Sequence, residues 1–269
     1  KDDTNPDYVI PIADGKTSVL GFCSDLAITG WGLSRSLSFL DKSQWWTKEK
    51  LLEFQLQRLQ LLITHAYRYT VYYKNLFDEI GLNPQDIKTI QDLKKFPVIS
   101  KQQFRNAFPE QISSVISNSG QHYMPNSTTG HQLNYYISKQ AYGMINATAL
   151  RGWKWMGFEL GDKYLKISQN KRSSFLKKLQ DKINNCRLVT CEYTPEGMEE
   201  ILNELNSFQP KILRSYPDPL MFLCQHIKGR KLSFPYLSAI NTTGNILTKE
   251  ARELIEKTFG VPVFDSYSC

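Results

Sequence analysis

The chain has 269 residues, 41% of them apolar and 22% charged, and its 33 Lys and Arg against 26 Asp and Glu give a formal net charge of +7. A 12% aromatic content excludes a wholly disordered chain, and the length suffices for one large domain or two smaller ones. The positive residues are scattered singly or in pairs such as Lys94-Lys95 and Lys177-Lys178, with no basic run, so nucleic acid is not an expected partner, whereas an anionic small molecule such as ATP suits the balance.

Residues 1–46 read as an N-terminal segment, loose over about the first 40. Pro6, Pro11, Gly15, Gly21, Gly30 and Gly32 interrupt any long period there, while Phe22, Trp31, Leu33 and Phe39 give it something to bury. From Thr47, an N-cap type, Leu52, Leu56, Leu59, Ile63 and Ala66 recur at three and four, which predicts an amphipathic helix to about Tyr69. A second, short helix is predicted from about Tyr72 to Ile80, stopped by Gly81 and Pro84. Capping boxes at Thr89-Ile90-Gln91-Asp92 and Ser100-Lys101-Gln102-Gln103 start two more. Residues 47–125 are therefore expected to be a helical region, densest over 47–108.

Beyond it the texture changes. Leu133, Tyr135 and Ile137 alternate with polar neighbours as a strand would, and a helix pattern follows from Lys139 to about Met156. Strands are predicted at Lys163–Ser168, Arg187–Cys191, Lys211–Ser215, Ser238–Thr242 and Pro262–Ser266. Helices are predicted between them near 173–184, 195–206 (Thr194 as cap, Pro195 first), 217–228 and 249–258 (Gly260 as stop). The expected fold class is α/β: a helical N-terminal region, then a mainly parallel sheet flanked by helices, with residues 126–269 as a nucleotide-binding region.

Cys23, Cys186, Cys191, Cys224 and Cys269 form no C-x-x-C pair, which favours a reducing compartment and makes the cytoplasm the expected location. Cys186 and Cys191 flank a predicted strand, the usual setting of buried structural cysteine. His65, His122, His131 and His226 are too dispersed for a zinc site, no metal site is expected within the chain, and no apolar run reaches membrane-spanning length.

Two turns carry the chemistry: Asn126-Ser127-Thr128-Thr129-Gly130 and Asn241-Thr242-Thr243-Gly244-Asn245. A Ser/Thr/Gly loop between extended segments offers N–H groups, hydroxyls and a residue free to take positive φ, all suited to phosphate oxygens; either could equally be an ordinary turn. In parallel sheets ligands bind at the carboxyl ends of strands, and Thr243-Gly244 and Ser266-Tyr267-Ser268 follow two neighbouring predicted strands, so these loops can face one crevice.

Several segments, in order, match a known family. Phe54-Gln55-Leu56-Gln57-Arg58-Leu59 through His65-Ala66-Tyr67, then Tyr72-Tyr73, Leu76-Phe77, and Asp92 through Pro97-Val98-Ile99-Ser100-Lys101 make up its N-terminal part. Ser127-Thr128-Thr129-Gly130, Gly161-Asp162, Tyr216-Pro217, Thr243-Gly244 and Asp265-Ser266-Tyr267 complete the set. Over about residues 40–269 the chain resembles the adenylate-forming ligases of the phenylacetate–coenzyme A ligase type, and within them the capsular polysaccharide biosynthesis branch.

The resemblance implies a two-step reaction in which a small-molecule carboxylic acid attacks the α-phosphate of ATP to give an acyl-adenylate and pyrophosphate, after which a thiol or amine displaces AMP. It implies ATP and Mg²⁺ as cofactors, coenzyme A or another acceptor, a thiol carrier among the partners, and leaves homo-oligomerisation open. Ser127, Thr128, Thr129 and Gly130 match the triphosphate loop; Thr243 and Gly244 match a wall of the adenine and acyl pocket; Tyr267 matches the residue stacked on adenine, with Asp265 and Ser268 beside it; Tyr216 and Pro217 match a segment shaping the acyl pocket. The phosphate loop departs from the family at Ser127 and His131-Gln132, and Ser268 stands where glycine is usual. The metal-binding glutamate, the small C-terminal domain and its catalytic lysine are expected beyond Cys269, so the chain reads as truncated and inactive alone in the overall reaction. The competing reading is a non-catalytic α/β module that binds a nucleotide or a partner protein.

Overall fold

The computed structural model describes residues 33–114, 121–123, 133–169 and 175–267. The chain forms two compact units, Lys1–Arg151 and Gly152–Cys269.

In the first unit, residues 33–43 are helical (α1), which corrects the expectation of a loose segment there: the interrupting prolines and glycines all precede residue 33. Helices α2 (Lys48–Tyr69) and α3 (Val71–Glu79) meet at Thr70, whose hydroxyl donates to the Ala66 carbonyl at 2.8 Å and accepts from the Tyr73 N–H at 3.3 Å. One side chain thus closes one helix and opens the next. Ile63, Phe77 and Ile87 form the buried centre against which Leu59, Tyr67, Leu82 and Phe96 pack. The Thr89 capping box is present but opens a 3-10 helix, Ile90–Lys95, while that of Ser100 opens α4 (Lys101–Ala107). Strands β1 (Gln121–Tyr123) and β2 (Tyr135–Ile137) pair antiparallel, with Gln121 opposite Ile137. β1 interrupts what reads in the sequence as a continuous helical region. Helix α5 (Lys139–Trp155) leads into the second unit.

That unit alternates β3 (Tyr164–Ser168), α6 (Phe175–Ile183), β4 (Cys186–Thr190), α7 (Pro195–Phe208), β5 (Ile212–Ser215), α8 (Pro217–His226), β6 (Ala239–Thr243), α9 (Lys249–Phe259) and β7 (Val263–Ser266). All five strands are parallel, in the order β4-β3-β5-β6-β7. Leu165, Ile167, Val189, Leu213, Ile240 and Val263 point to one face and pack with Ile201 and Leu205 of α7, Leu220 and Leu223 of α8, and Ile255 and Phe259 of α9. The expected parallel sheet flanked by helices is therefore present.

The ends of α7 are chemically marked. Thr194 accepts from the Gly197 N–H at 3.1 Å, Pro195 occupies the first turn, and Gln209 terminates it in the left-handed region at φ 51°. At the other end of the unit Gly260, φ 71°, stops α9 as expected. Cys186, Cys191 and Cys224 are buried and form no disulfide among the described residues.

Candidate functional site

The strand order reverses direction between β3 and β5: the chain leaves β3 for β4 on one side, then crosses back to β5 on the other. In open parallel sheets this is where loops diverge and a crevice opens at the carboxyl ends of the strands. The segments leaving β5, β6 and β7 at that edge are Tyr216-Pro217, Gly244-Asn245 and Tyr267, so three groups of residues singled out in the sequence emerge at the same edge of one sheet.

Their mutual fit is specific. Gly244 has φ +88°, and a Cβ placed on it would lie 2.7 Å from Cδ1 of the Tyr216 ring. Only glycine gives that combination of backbone conformation and clearance. One residue on, the Asn245 amide donates to Asp218 Oδ2 at 2.9 Å, so the turn after β6 is fastened to the first turn of α8. Pro217 is buried beneath this junction, whereas Tyr216 lies at the surface.

β6 and β7 are joined by side chains as well as by the ladder. Thr242, fully buried, donates through Oγ1 to Asp265 Oδ1 at 2.7 Å, its register partner. Asn241, 1% exposed, donates through Nδ2 to Ser266 Oγ at 2.7 Å and to the Phe264 carbonyl at 3.2 Å. These bonds set the path of the chain just before Tyr267, whose side chain is 93% exposed. A broad ring at the edge of the sheet is a ready stacking surface for a purine base. Thr243, at the end of β6, is half-buried.

The second face of the sheet is different. Trp153, Phe158 and Tyr164 pack edge to face, with Trp153 and Tyr164 centroids 4.9 Å apart. The Arg214 guanidinium lies over the Trp153 ring, 5.6 Å from its centroid. Burial lowers the pKa of Arg214, opposed by Tyr164, Tyr216 and Cys186, and burial raises that of Tyr164. Arg214 carries no motif in the sequence, and its one signal there is a cation inside the short apolar strand β5. Asn241 opens the second hydroxyl turn in the sequence, but its bonds, like that of Asp218, are to partners 23 to 27 residues away and become visible only in the folded chain.

Ser127, Thr128, Thr129 and Gly130 lie outside the described residues, as do His131, Gln132, Ser268 and Cys269. The described residues that flank the first turn in sequence are Tyr123, the last of β1, and Leu133, two residues before β2. For a nucleotide, the exposed Tyr267 ring and the Gly244 turn are a fitting pair of surfaces. For Mg²⁺ the described residues do not fit: among them no three His, Cys, Asp or Glu converge, and Asp265 accepts from Thr242.

No family model matches the chain. It is similar to the phenylacetate-coenzyme A ligase of Aromatoleum evansii, 33% identical over 82 residues, which are 28% of this chain and 19% of the relative. The same ligase of Escherichia coli (strain K12) is 33% identical over 89 residues, 30% of this chain and 20% of the relative. Among solved structures, 2-hydroxyisobutyryl-CoA ligase in the postadenylation state with 2-HIB-AMP superposes with a TM-score of 0.66 at 18% identity, over 82% of this chain and 49% of that one. Its open conformation, with 2-HIB-AMP and CoA, gives 0.64 over 80% and 49%. The chain thus spans about half the length of the solved ligase it matches and aligns with about a fifth of the curated relatives. The fold of this chain is that found in one half of a CoA ligase.

Proposed function

We propose that the chain is the larger part of the nucleotide- and acid-binding domain of an ATP-dependent, adenylate-forming carboxylate ligase. The observation that carries this reading is the emergence, at one carboxyl edge of a parallel sheet with a reversal of strand order, of the Tyr216–Gly244 contact and the exposed Tyr267 ring. The partial sequence likeness to phenylacetate-coenzyme A ligases and the shared fold of 2-hydroxyisobutyryl-CoA ligase support it.

In this reading Tyr267 stacks on adenine, the turn at Thr243-Gly244 walls the adenine and acyl pocket, and Tyr216 and Pro217 shape its acyl end. Asp265, held by Thr242, and Ser268 flank the nucleotide, and Ser127, Thr128, Thr129 and Gly130 hold the phosphates. ATP supplies the activating group: the acid carboxylate attacks the α-phosphate, pyrophosphate leaves, and a thiol such as coenzyme A or a carrier, or an amine, then takes the acyl group as AMP departs; Mg²⁺ would accompany the nucleotide, since the described residues offer it no ligand set. The residues of this chain contribute positioning and hydrogen-bond donors, which is the larger share of catalysis in such transfers. We place the protein in the capsular polysaccharide branch of these ligases and in the cytoplasm.

The test is ATP–pyrophosphate exchange by the full-length gene product with a panel of carboxylic acids. Acid-dependent exchange supports the ligase. ATP binding without exchange for any acid favours a non-catalytic nucleotide-binding module instead.

A further inference from the structure

Arg214 and Asn241 are register partners on β5 and β6, so their side chains leave the sheet on the same face about 4.8 Å apart. Each holds a buried polar atom without a hydrogen-bond partner: Nε of Arg214, a donor, and Oδ1 of Asn241, an acceptor. Among the described residues the Arg214 side chain makes no hydrogen bond and no ion pair, and it lies over the Trp153 ring. Among the described residues the titratable groups acting on it are Tyr164, Tyr216 and Cys186, none of them a carboxylate. Arg214 is half-buried with its Nε enclosed, and a guanidinium stays charged at any pH a protein survives, so the enclosed donor calls for an acceptor. Asn241 cannot turn its amide to relieve its own oxygen without giving up the bonds to Ser266 and the Phe264 carbonyl.

The pair lies two residues before Tyr216 on β5 and two before Thr243 on β6, at the same edge as the proposed acid pocket. We infer that Arg214 and Asn241 select the acid: the substrate carries, apart from the carboxyl group that is activated, a second carboxylate for Arg214 and an adjacent hydroxyl that donates to Asn241 Oδ1. Planar guanidinium groups recognise carboxylates by paired hydrogen bonds, and a site built to bond a polar group rejects analogues that lack it. This rests on the ligase reading for the location of the acid, and it deepens that reading by naming a hydroxylated dicarboxylic acid as the substrate class.

The experiment measures binding of malate, succinate and butyrate to the chain by calorimetry, without nucleotide, beside a separate ATP titration. Malate is expected to bind tightest, then succinate, then butyrate, with succinate roughly tenfold or more ahead of butyrate for one charged hydrogen-bonding group. Arg214→Met should bring succinate to the level of butyrate, and Asn241→Leu should remove only the advantage of malate over succinate. Arg214→Met, which touches none of the bonds leading to Tyr267, should keep ATP affinity, so that loss of acid discrimination and loss of nucleotide binding are separate results. Equal affinity for succinate and butyrate in the unsubstituted chain overturns the inference, as does failure of the two diacids to bind. That comparison needs no variant to fold. A folded Arg214→Met protein that still prefers succinate overturns it as well.

Discussion

The Tyr216 ring lies against the α-carbon of Gly244, close enough that a Cβ at position 244 would come within 2.7 Å of the ring. Two loops that leave neighbouring strands are thereby locked in one arrangement. Gly244→Ala is expected to destabilise the chain by about 1–3 kcal/mol, combining a positive φ with a steric clash. Urea unfolding of Gly244→Ala, Tyr216→Ala and the double variant checks this. The double variant should recover the steric part, and strictly additive losses would contradict the contact.

Thr242 and Asp265 allow a directional prediction. Thr242→Val removes a buried donor and leaves Asp265, which is exposed, to water, so it should cost about 1 kcal/mol or less. Asp265→Ala leaves the Thr242 hydroxyl buried and unpaired, at about 1–3 kcal/mol. Denaturation midpoints of the two variants should differ in that order, and the reverse order would contradict the pairing.

Tyr267→Ala should leave the unfolding midpoint unchanged, because the ring is 93% exposed. In the proposed site the same change should weaken ATP binding by about 1–3 kcal/mol, the worth of a base stacked on an aromatic side chain. Fluorescence titration with an ATP analogue measures it. Unaltered affinity would remove Tyr267 from the site.

Asp92 accepts hydrogen bonds from Lys95 at 2.8 Å, the Thr89 N–H at 2.7 Å, the Thr89 hydroxyl at 2.9 Å and the Lys88 N–H at 3.0 Å. Lys95, then the Thr89 backbone and hydroxyl, hold its carboxyl well below the ordinary value of 3.8. A carboxylate lowered on folding adds stability that is complete above its unfolded pKa and is lost as pH falls through the folded one. The 3-10 helix Ile90–Lys95 should therefore be insensitive to pH near neutrality and loosen only in acid. A carboxyl-carbon NMR titration of Asp92 should give a midpoint below 3.8, and Asp92→Asn should remove the acid-limb dependence.

Gln209 ends α7 with φ 51°, a conformation that is strained for a residue with a Cβ. Gln209→Gly should raise stability by up to about 1 kcal/mol, whereas Thr194→Ala at the other end should lower it by about 1 kcal/mol. Thermal melts of both variants decide.

Element ends written in local chemistry were legible in the sequence. Thr47, Ser100, Thr194-Pro195 and Gly260 each begin or stop a helix through bonds to residues a few positions away, and the helices start or stop there. The five parallel strands were readable from alternation with helices, each to within a residue or two. What the sequence hid is short or non-local. A three-residue strand such as Gln121–Tyr123 carries no period, and the Thr89 box looks the same whether six 3-10 residues or a longer α-helix follow. The order β4-β3-β5-β6-β7, the Arg214–Asn241 register and the Tyr216–Gly244 contact depend on strands brought together by pairing, so no stretch of chain announces them.

The strand order also bears on synthesis. β3 first meets β4, and its second neighbour, β5, arrives only after α7, with Tyr164 pairing to both Cys186 and Ile212. A chain emerging from the ribosome N-terminus first thus holds β3 and β4 together with one flank of β3 unpaired until Ile212–Ser215 is made. An open inner strand is a template for wrong partners, and contacts of long separation form late. Slow translation through α7 would prolong that interval, whereas β5, β6 and β7 then add one after another, each closing the edge left by the last.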